Sequence, residues 1–206
     1  MPSVSVIIAV YNGEKHIDAS LKSIFEQTYD PIEIIVVDDG SSDHTAKIVQ
    51  KYGPKVRYFF QPNRGQPSAL NFGISIAKSS YIEFLDADDL HAPDKTRLQV
   101  EFLNANPHID FVLGHMEQFF CPDAPSEFKK KWFCPPGISP GYMANEQQHI
   151  GLFIEWYMRA EEKGLIPQQV LRRRIHENNM GIHSQHSRLE YVQIVKMALK
   201  RRLCSG

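Results

Sequence analysis

The sequence predicts an α/β fold in which a mostly parallel sheet is flanked by helices. Three observations lead there. Short apolar runs rich in β-branched residues recur along the first 115 positions. Segments with helical spacing of apolar residues separate them, and each run ends abruptly in polar or acidic residues. Strands alternating with helices imply βαβ units, right-handed crossovers and parallel pairing.

Val4-Ser5-Val6-Ile7-Ile8-Ala9-Val10 reads as a buried first strand, with Tyr11-Asn12-Gly13-Glu14 as the turn after it. Ile17, Leu21, Ile24 and Phe25 recur at helical spacing and predict an amphipathic helix over 15–27. Ile32 to Val37 is the second strand, and Asp38-Asp39-Gly40-Ser41-Ser42-Asp43 its exit. Ser42 or Asp43 can cap the next helix, which carries Ala46, Ile48 and Val49. Asp38 is placed to stabilise that helix start. Val56 to Phe60 is a third, shorter strand. The loop from Gln61 to Gln66 then leads into a helix lined by Ala69, Leu70, Phe72, Ile74 and Ala77.

The fourth strand, Tyr81-Ile82-Glu83-Phe84-Leu85, delivers Asp86, Asp88 and Asp89 to its C-terminal end. Carboxylates that close repel one another unless something positive lies between them. A hard divalent cation, Mg²⁺ or Mn²⁺, meets that need and fills its remaining positions with water and phosphate oxygens. A solvated Asp-rich turn capping the next helix gives the same pattern, so this motif by itself leaves both readings open. Ligands in parallel sheets lie beyond the carboxyl ends of the strands. Tyr11, Asp38 and Asp39, Gln61 to Gly65, and Asp86 to Asp89 all lie there, so four exits converge on one rim.

Farther on, Pro93 to Leu103 reads as a helix and Phe111 to Gly114 as a strand. Residues 121–149 are rich in Pro, Lys and polar groups and carry little periodicity. Phe153 to Lys163 reads as a helix that Gly164 would end. Arg188 to Leu203 reads as a basic amphipathic helix, which either packs its Leu and Val face on the domain or lies on an anionic membrane. The run Arg172-Arg173-Arg174 taken alone reads as a solvated face.

The chain has 206 residues, enough for one sizeable core, and its 42% hydrophobic and 23% charged residues are ordinary for a globular protein. A formal charge of −1 gives no global field directed at nucleic acid. No signal peptide is read at the start, and no apolar stretch reaches the about 18–20 residues of a membrane span. Cys121, Cys134 and Cys204 fit neither a disulfide framework nor zinc spacing, which suits a reducing cytoplasm. The first turn lacks the glycine-rich fingerprint of dinucleotide-binding enzymes. No glycine-rich phosphate loop of a sugar nucleotidyltransferase follows the first strand either.

Val4 to Asn12, Ile35 to Ser41, Asn63-Arg64-Gly65, Ala69-Leu70-Asn71-Phe72-Gly73 and Phe84 to Asp89 together resemble the family 2 glycosyltransferases of the GT-A fold. The likeness resumes at Glu155 to Ala160 and at Arg173 to Asn179. It implies an inverting transfer of a sugar from a nucleotide-diphosphate donor, a UDP- or GDP-sugar, to a saccharide or lipid-linked acceptor hydroxyl. It also implies a single domain, with 1–115 as the donor-binding half and 116–206 as the acceptor-side half. Ala9 and Tyr11 match positions that frame the base, Asp39 matches the acid that hydrogen-bonds it, and Asn63, Arg64 and Asp86 complete the nucleotide-binding set. Asp86 and Asp88 match the Asp-X-Asp element that holds the metal on the diphosphate. His176 matches a position that approaches the metal in some relatives, and Arg173 or Arg174 can add positive charge.

The chain departs from that pattern on the acceptor side. Counting back from Arg159, Leu152 and Phe153 stand where relatives carry an acidic pair whose Asp is the catalytic base. Glu155 is the nearest carboxylate and the candidate substitute. The stretch from Gly141 to Leu152 is also shorter, by some twenty residues, than the strand and helix it replaces in relatives. Two expectations therefore stand: a metal-dependent enzyme, cytoplasmic or peripheral at the inner face of the membrane, and a nucleotide-sugar-binding module with little turnover.

Overall fold

The computed structural model describes residues 3–109, 111–121 and 163–175. Its first half is β1 (Val4–Val10), α1 (Ile17–Phe25), β2 (Ile32–Asp38), α2 (Thr45–Gln50), β3 (Arg57–Phe60), α3 (Gln66–Ile76) and β4 (Tyr81–Phe84). These strands form one sheet in the order β3-β2-β1-β4, and every pair in it is parallel. The expected parallel α/β architecture is therefore present. A second sheet, not anticipated from the sequence, has the order β5-β7-β6. It combines β5 (Leu90–His91), β6 (Phe111–Phe120) and β7 (Lys163–Ile175), with α4 (Lys95–Ala105) between β5 and β6. β6 pairs with β7 parallel, while β5 pairs with it antiparallel.

All seven residues of β1 are buried, as befits a central parallel strand covered on both faces. Val4, Val6, Ile8 and Val10 pack with Ile17, Leu21 and Ile24 of α1 and with Val49 and Val100. Ile7 and Ala9 face the other way and pack with Ile35, Val37, Ala69 and Leu70. Ser5, also on that face and fully buried, donates its hydroxyl to Glu33 Oε2 at 2.6 Å. β-Branched residues suit both layers because a pleated strand holds their stiff χ1 without loss.

Several local expectations shift. α2 starts at Thr45 with His44 at its N-cap, so neither Ser42 nor Asp43 caps it. Asp43 Oδ1 instead accepts the Thr45 N–H at 2.9 Å from just outside the helix. Phe72 is exposed, so the buried stripe of α3 is Pro67, Ala69, Leu70 and Gly73. Pro67 lies in the first turn, where its missing N–H has no helical partner to lose. β6 is a ten-residue strand. Lys163 and Gly164 begin β7 and do not end a helix. The rest of the helix expected over 153–163 and the basic helix from Arg188 lie outside the described residues.

Gly73 lets α3 seat on β1, since a Cβ there would stand 2.4 Å from Ile7 Cγ2. Ile7 is fully buried, so its side chain must shift within the packed core. Gly73→Ala is expected to lower stability by about 1–3 kcal/mol, the usual cost of an overpacked core. Urea unfolding checks it through a lower midpoint at an unchanged slope.

Candidate active site

The rim is assembled from the loops that leave β1, β2, β3 and β4. Tyr11 follows β1 and is 56% exposed, an aromatic face turned to solvent where a buried strand ends. Asn12 next to it has a φ of 50°, a left-handed conformation that Asn tolerates better than most residues. Its N–H donates to Ser41 Oγ at 2.9 Å, and its Oδ1 accepts the Ser42 N–H at 2.9 Å. Gly13 N–H donates to Thr45 Oγ1 at 2.9 Å, and Glu14 N–H to Asp43 Oδ2 at 3.0 Å. The Glu14 carboxylate in turn accepts the His44 N–H at 3.0 Å. The β1 and β2 exits are thus laced together, and Tyr11 is carried on a braced turn.

The two acids after β2 separate in role. Asp38 is fully buried and accepts the Ser41 N–H and the Tyr58 hydroxyl, both at 2.7 Å. It holds a turn and the neighbouring strand, not the helix start expected of it. Asp39 is 3% exposed, and its N–H continues the sheet by donating to Val10 O at 2.8 Å. Its Oδ1 accepts Gln61 Nε2 at 2.7 Å and the Arg64 N–H at 2.9 Å. Among the described residues no hydrogen-bond donor reaches Oδ2. Gly40 (φ 87°) lies so close to the next loop that a Cβ would meet Asn63 N at 2.8 Å. Asn63 and Arg64 are both exposed beside it. Ala9 is buried in the core cluster under α3.

The acidic loop closes the ring. Asp86, Asp88 and Asp89 bring ligand oxygens within 4.8 Å of one another. Their backbone is pinned from three sides. Ser20 Oγ of α1 donates to Ala87 O at 2.8 Å, Asp89 N–H to Asp86 O at 3.0 Å, and Arg174 Nε to Asp88 O at 3.0 Å. Gln66, at the start of α3, donates Nε2 to Asp86 Oδ1 at 3.1 Å. A Cβ built on Gly13 would stand 3.8 Å from Ala87 Cβ, so the β1 turn also abuts this loop.

Burial, with the charges of Asp86 and Asp88, pushes the Asp89 carboxyl up to about 8, against the Arg174 N–H and the Arg173 charge. Three carboxylates so gathered, with all-oxygen donor chemistry, fit a hard divalent cation. Asp86 and Asp88 are half-buried, whereas Asp89 is 3% exposed and its Oδ1 accepts the Arg174 N–H at 2.8 Å.

The expected residues Tyr11, Asp39, Asn63, Arg64, Asp86 and Asp88 therefore belong to one continuous rim. Glu155 and His176 lie outside the described residues. Gln61 was expected at the rim only as part of its loop, and the bracing roles of Gln66, Ser20 and Asn12 were not anticipated; Ser20 is a buried polar residue inside α1 and leaves no trace in the apolar pattern. The arginine run is not simply a solvated face. It lies in β7, where Arg172 pairs with Glu117 at 2.9 Å, and Arg172 and Arg174 both stack on Phe119.

This architecture is similar to that of TarS from S. aureus. Its 1–349 structure in complex with UDP-GlcNAc superposes with a TM-score of 0.67 at 20% identity, covering 95% of this chain and 65% of that one. The complex with UDP gives 0.64 at 20% identity, covering 98% and 72%. At such identity the likeness shows the fold, which is GT-A. A glycosyltransferase of Rickettsia typhi is 45% identical over 112 residues, 54% of this chain and 35% of the relative. One from Haemophilus influenzae is 39% identical over 125 residues, 59% of this chain and 49% of the relative. The chain thus spans between a third and a half of these two relatives. The model of glycosyl transferase family 2 matches residues 5–181, most of the sequence, and the chain belongs to that family.

Proposed function

We propose that this protein transfers a hexose from a nucleotide-diphosphate sugar to an acceptor hydroxyl with inversion, assisted by Mg²⁺ or Mn²⁺. The observation that carries the reading is the closed rim, which has an exposed aromatic and a half-used carboxylate on one side and gathered acids on the other. Tyr11 stacks on the base. Asp39, its Oδ1 held by Gln61 and the Arg64 N–H, offers Oδ2 to a base N–H. Asn63 and Arg64 flank the nucleotide, and Ala9 backs it from the core. Asp86 and Asp88 hold the cation, with His176 as a further ligand. A cation there neutralises charge gathering on the departing diphosphate.

The acceptor oxygen attacks the anomeric carbon opposite the diphosphate, the carbon–oxygen bond to the diphosphate breaks, and the acceptor proton passes to a carboxylate. Glu155 is our assignment for that base. Residues 1–115 serve as the donor-binding half of one domain, and residues 116–206 as its acceptor-side half. Among donors a UDP-sugar comes first, because TarS, which shares the fold, is known in complex with UDP-GlcNAc and UDP. The acceptor is a saccharide, free or lipid-linked at the inner face of a membrane, and the protein works in the cytoplasm. Among the described residues no helix is long and apolar enough to cross a membrane.

Leu152 and Phe153 in place of an acidic pair favour a second reading, a donor-binding module with little turnover.

Thermal unfolding with a panel of UDP- and GDP-sugars, with and without Mn²⁺, tests the common core of both readings. A ligand at a hundred times its Kd adds about 2.7 kcal/mol, so a donor raises the melting temperature, and more with Mn²⁺ present. No metal-dependent shift from any donor ends both readings. Release of free nucleoside diphosphate then separates enzyme from module, and Glu155→Gln abolishes that release if Glu155 is the base.

Asp39→Asn and Tyr11→Ala test the base end. Each is expected to weaken UDP binding by about 1–3 kcal/mol, the range for a charged hydrogen bond or a base–aromatic stack. Calorimetry without metal reads it, and an unchanged Kd in both variants places the base elsewhere.

A further inference from the structure

We propose that Arg174 is a positioning residue for the acidic loop, holding Asp88 in a cation-binding pose from a strand that is remote in sequence. The inference rests on the reading of Asp86 and Asp88 as cation ligands and adds a residue whose side chain need not touch the cation. Gathered carboxylates push one another apart, so the backbone that carries them must be held by donors. Two of the loop's carbonyls are held by other donors, one from α1 and one from within the loop. Ala87 O accepts from Ser20, and Asp86 O from the Asp89 N–H. Asp88 O is held by Arg174 Nε at 3.0 Å, from 86 residues away.

Arg174 also reaches the next residue of the loop, because its backbone N–H donates to Asp89 Oδ1 at 2.8 Å. Asp89 is thereby tied to β7 as a latch, which accounts for a carboxyl buried to 3% exposure beside two other acids. The guanidinium plane is fixed in turn, lying 4.8 Å from the Phe119 ring centroid, and Phe119 is the register partner of Arg174 on β6. Stacking on Phe119 restrains the guanidinium while its Nε donates to Asp88 O. A lysine would keep the charge and lose that planar geometry. Arg174 therefore acts on the cation through the Asp88 backbone, as residues that orient metal ligands do elsewhere.

The test uses the full chain with UDP, or GDP if that is what the wild type binds, and titrates Mn²⁺ while following the free ion by electron paramagnetic resonance. Arg174→Met is expected to weaken Mn²⁺ affinity about 10- to 100-fold, the range for loss of a group that orients a ligand. Metal-free nucleotide affinity should stay within about twofold, because Tyr11 and Asp39 are anchored independently. Arg174→Lys is expected to fall between wild type and Arg174→Met. Should Arg174→Met lack a cooperative urea transition, Arg174→Lys decides the matter through the same two affinities. Wild-type Mn²⁺ affinity in the folded variants overturns the proposal. So does an equal loss of metal-free nucleotide affinity, which would make Arg174 a nucleotide contact or a general support of the rim. A wild type that takes up no Mn²⁺ with any nucleotide is a different result, and it removes the functional reading on which the proposal stands.

Discussion

Three carboxylates at the end of one strand repel each other, and the surrounding structure is organised to hold them together. Asp86, Asp88 and Asp89 leave β4 within 4.8 Å of one another, and the Asp89 carboxyl is pushed well above the ordinary range of an acid. A loop under that stress would open if its backbone were free. It is instead donated to by α1 through Ser20 and by β7 through Arg174, and the Asp86 side chain is donated to by α3 through Gln66. Two helices and a strand of the second sheet thus direct polar groups at four residues.

The other exits follow the same logic, with backbone N–H groups donating to side-chain oxygens. Asn12, Gly13 and Glu14 exchange hydrogen bonds with Ser41, Ser42, Asp43, His44 and Thr45, so neither loop can move without the other. Gly40 and Asn63 bring the third exit against the second at a distance that leaves no room for a side chain. The rigid β1–β2 core beneath supplies the fixed points, since Asp39 N–H and Gln61 N–H simply continue the sheet ladder. Function then lies in loops whose freedom the scaffold has removed.

Much of this was legible in the sequence, for a physical reason. Buried parallel strands are continuous apolar runs, and their ends are marked by the polar or aromatic residues that interrupt the run, so Tyr11, the Asp38-Asp39 pair and Asp86 identify the rim directly. Local hydrogen-bond exchange is harder to read. Asp38 and Asp39 look alike in sequence, yet one is committed to Tyr58 and Ser41 while the other keeps an oxygen for the rim. The difference depends on which face of β2 each leaves, and the twist of a strand end is not written in its composition. β5 has two residues and no periodicity, so only its pairing with Leu171 and Arg172 defines it. The arginine run resembled a solvated face because charge spacing does not reveal a strand partner such as Phe119.

The two ends of the rim are held by different parts of the molecule, and this bears on how binding energy divides. Asp39 and Tyr11 are braced by groups from residues 10–64, all within the first sheet and its loops. The acidic loop takes one anchor from α1, one from α3 and two from β7, which lies far along the chain from β4. Changes at β7 therefore have a direct mechanical route to the acids, and none as short to Tyr11 and Asp39. A shift of β7 can therefore move the acids while Tyr11 and Asp39 stay in place, because Arg174 donates to the acidic loop whereas Asp39 is held by Gln61 and the Arg64 N–H.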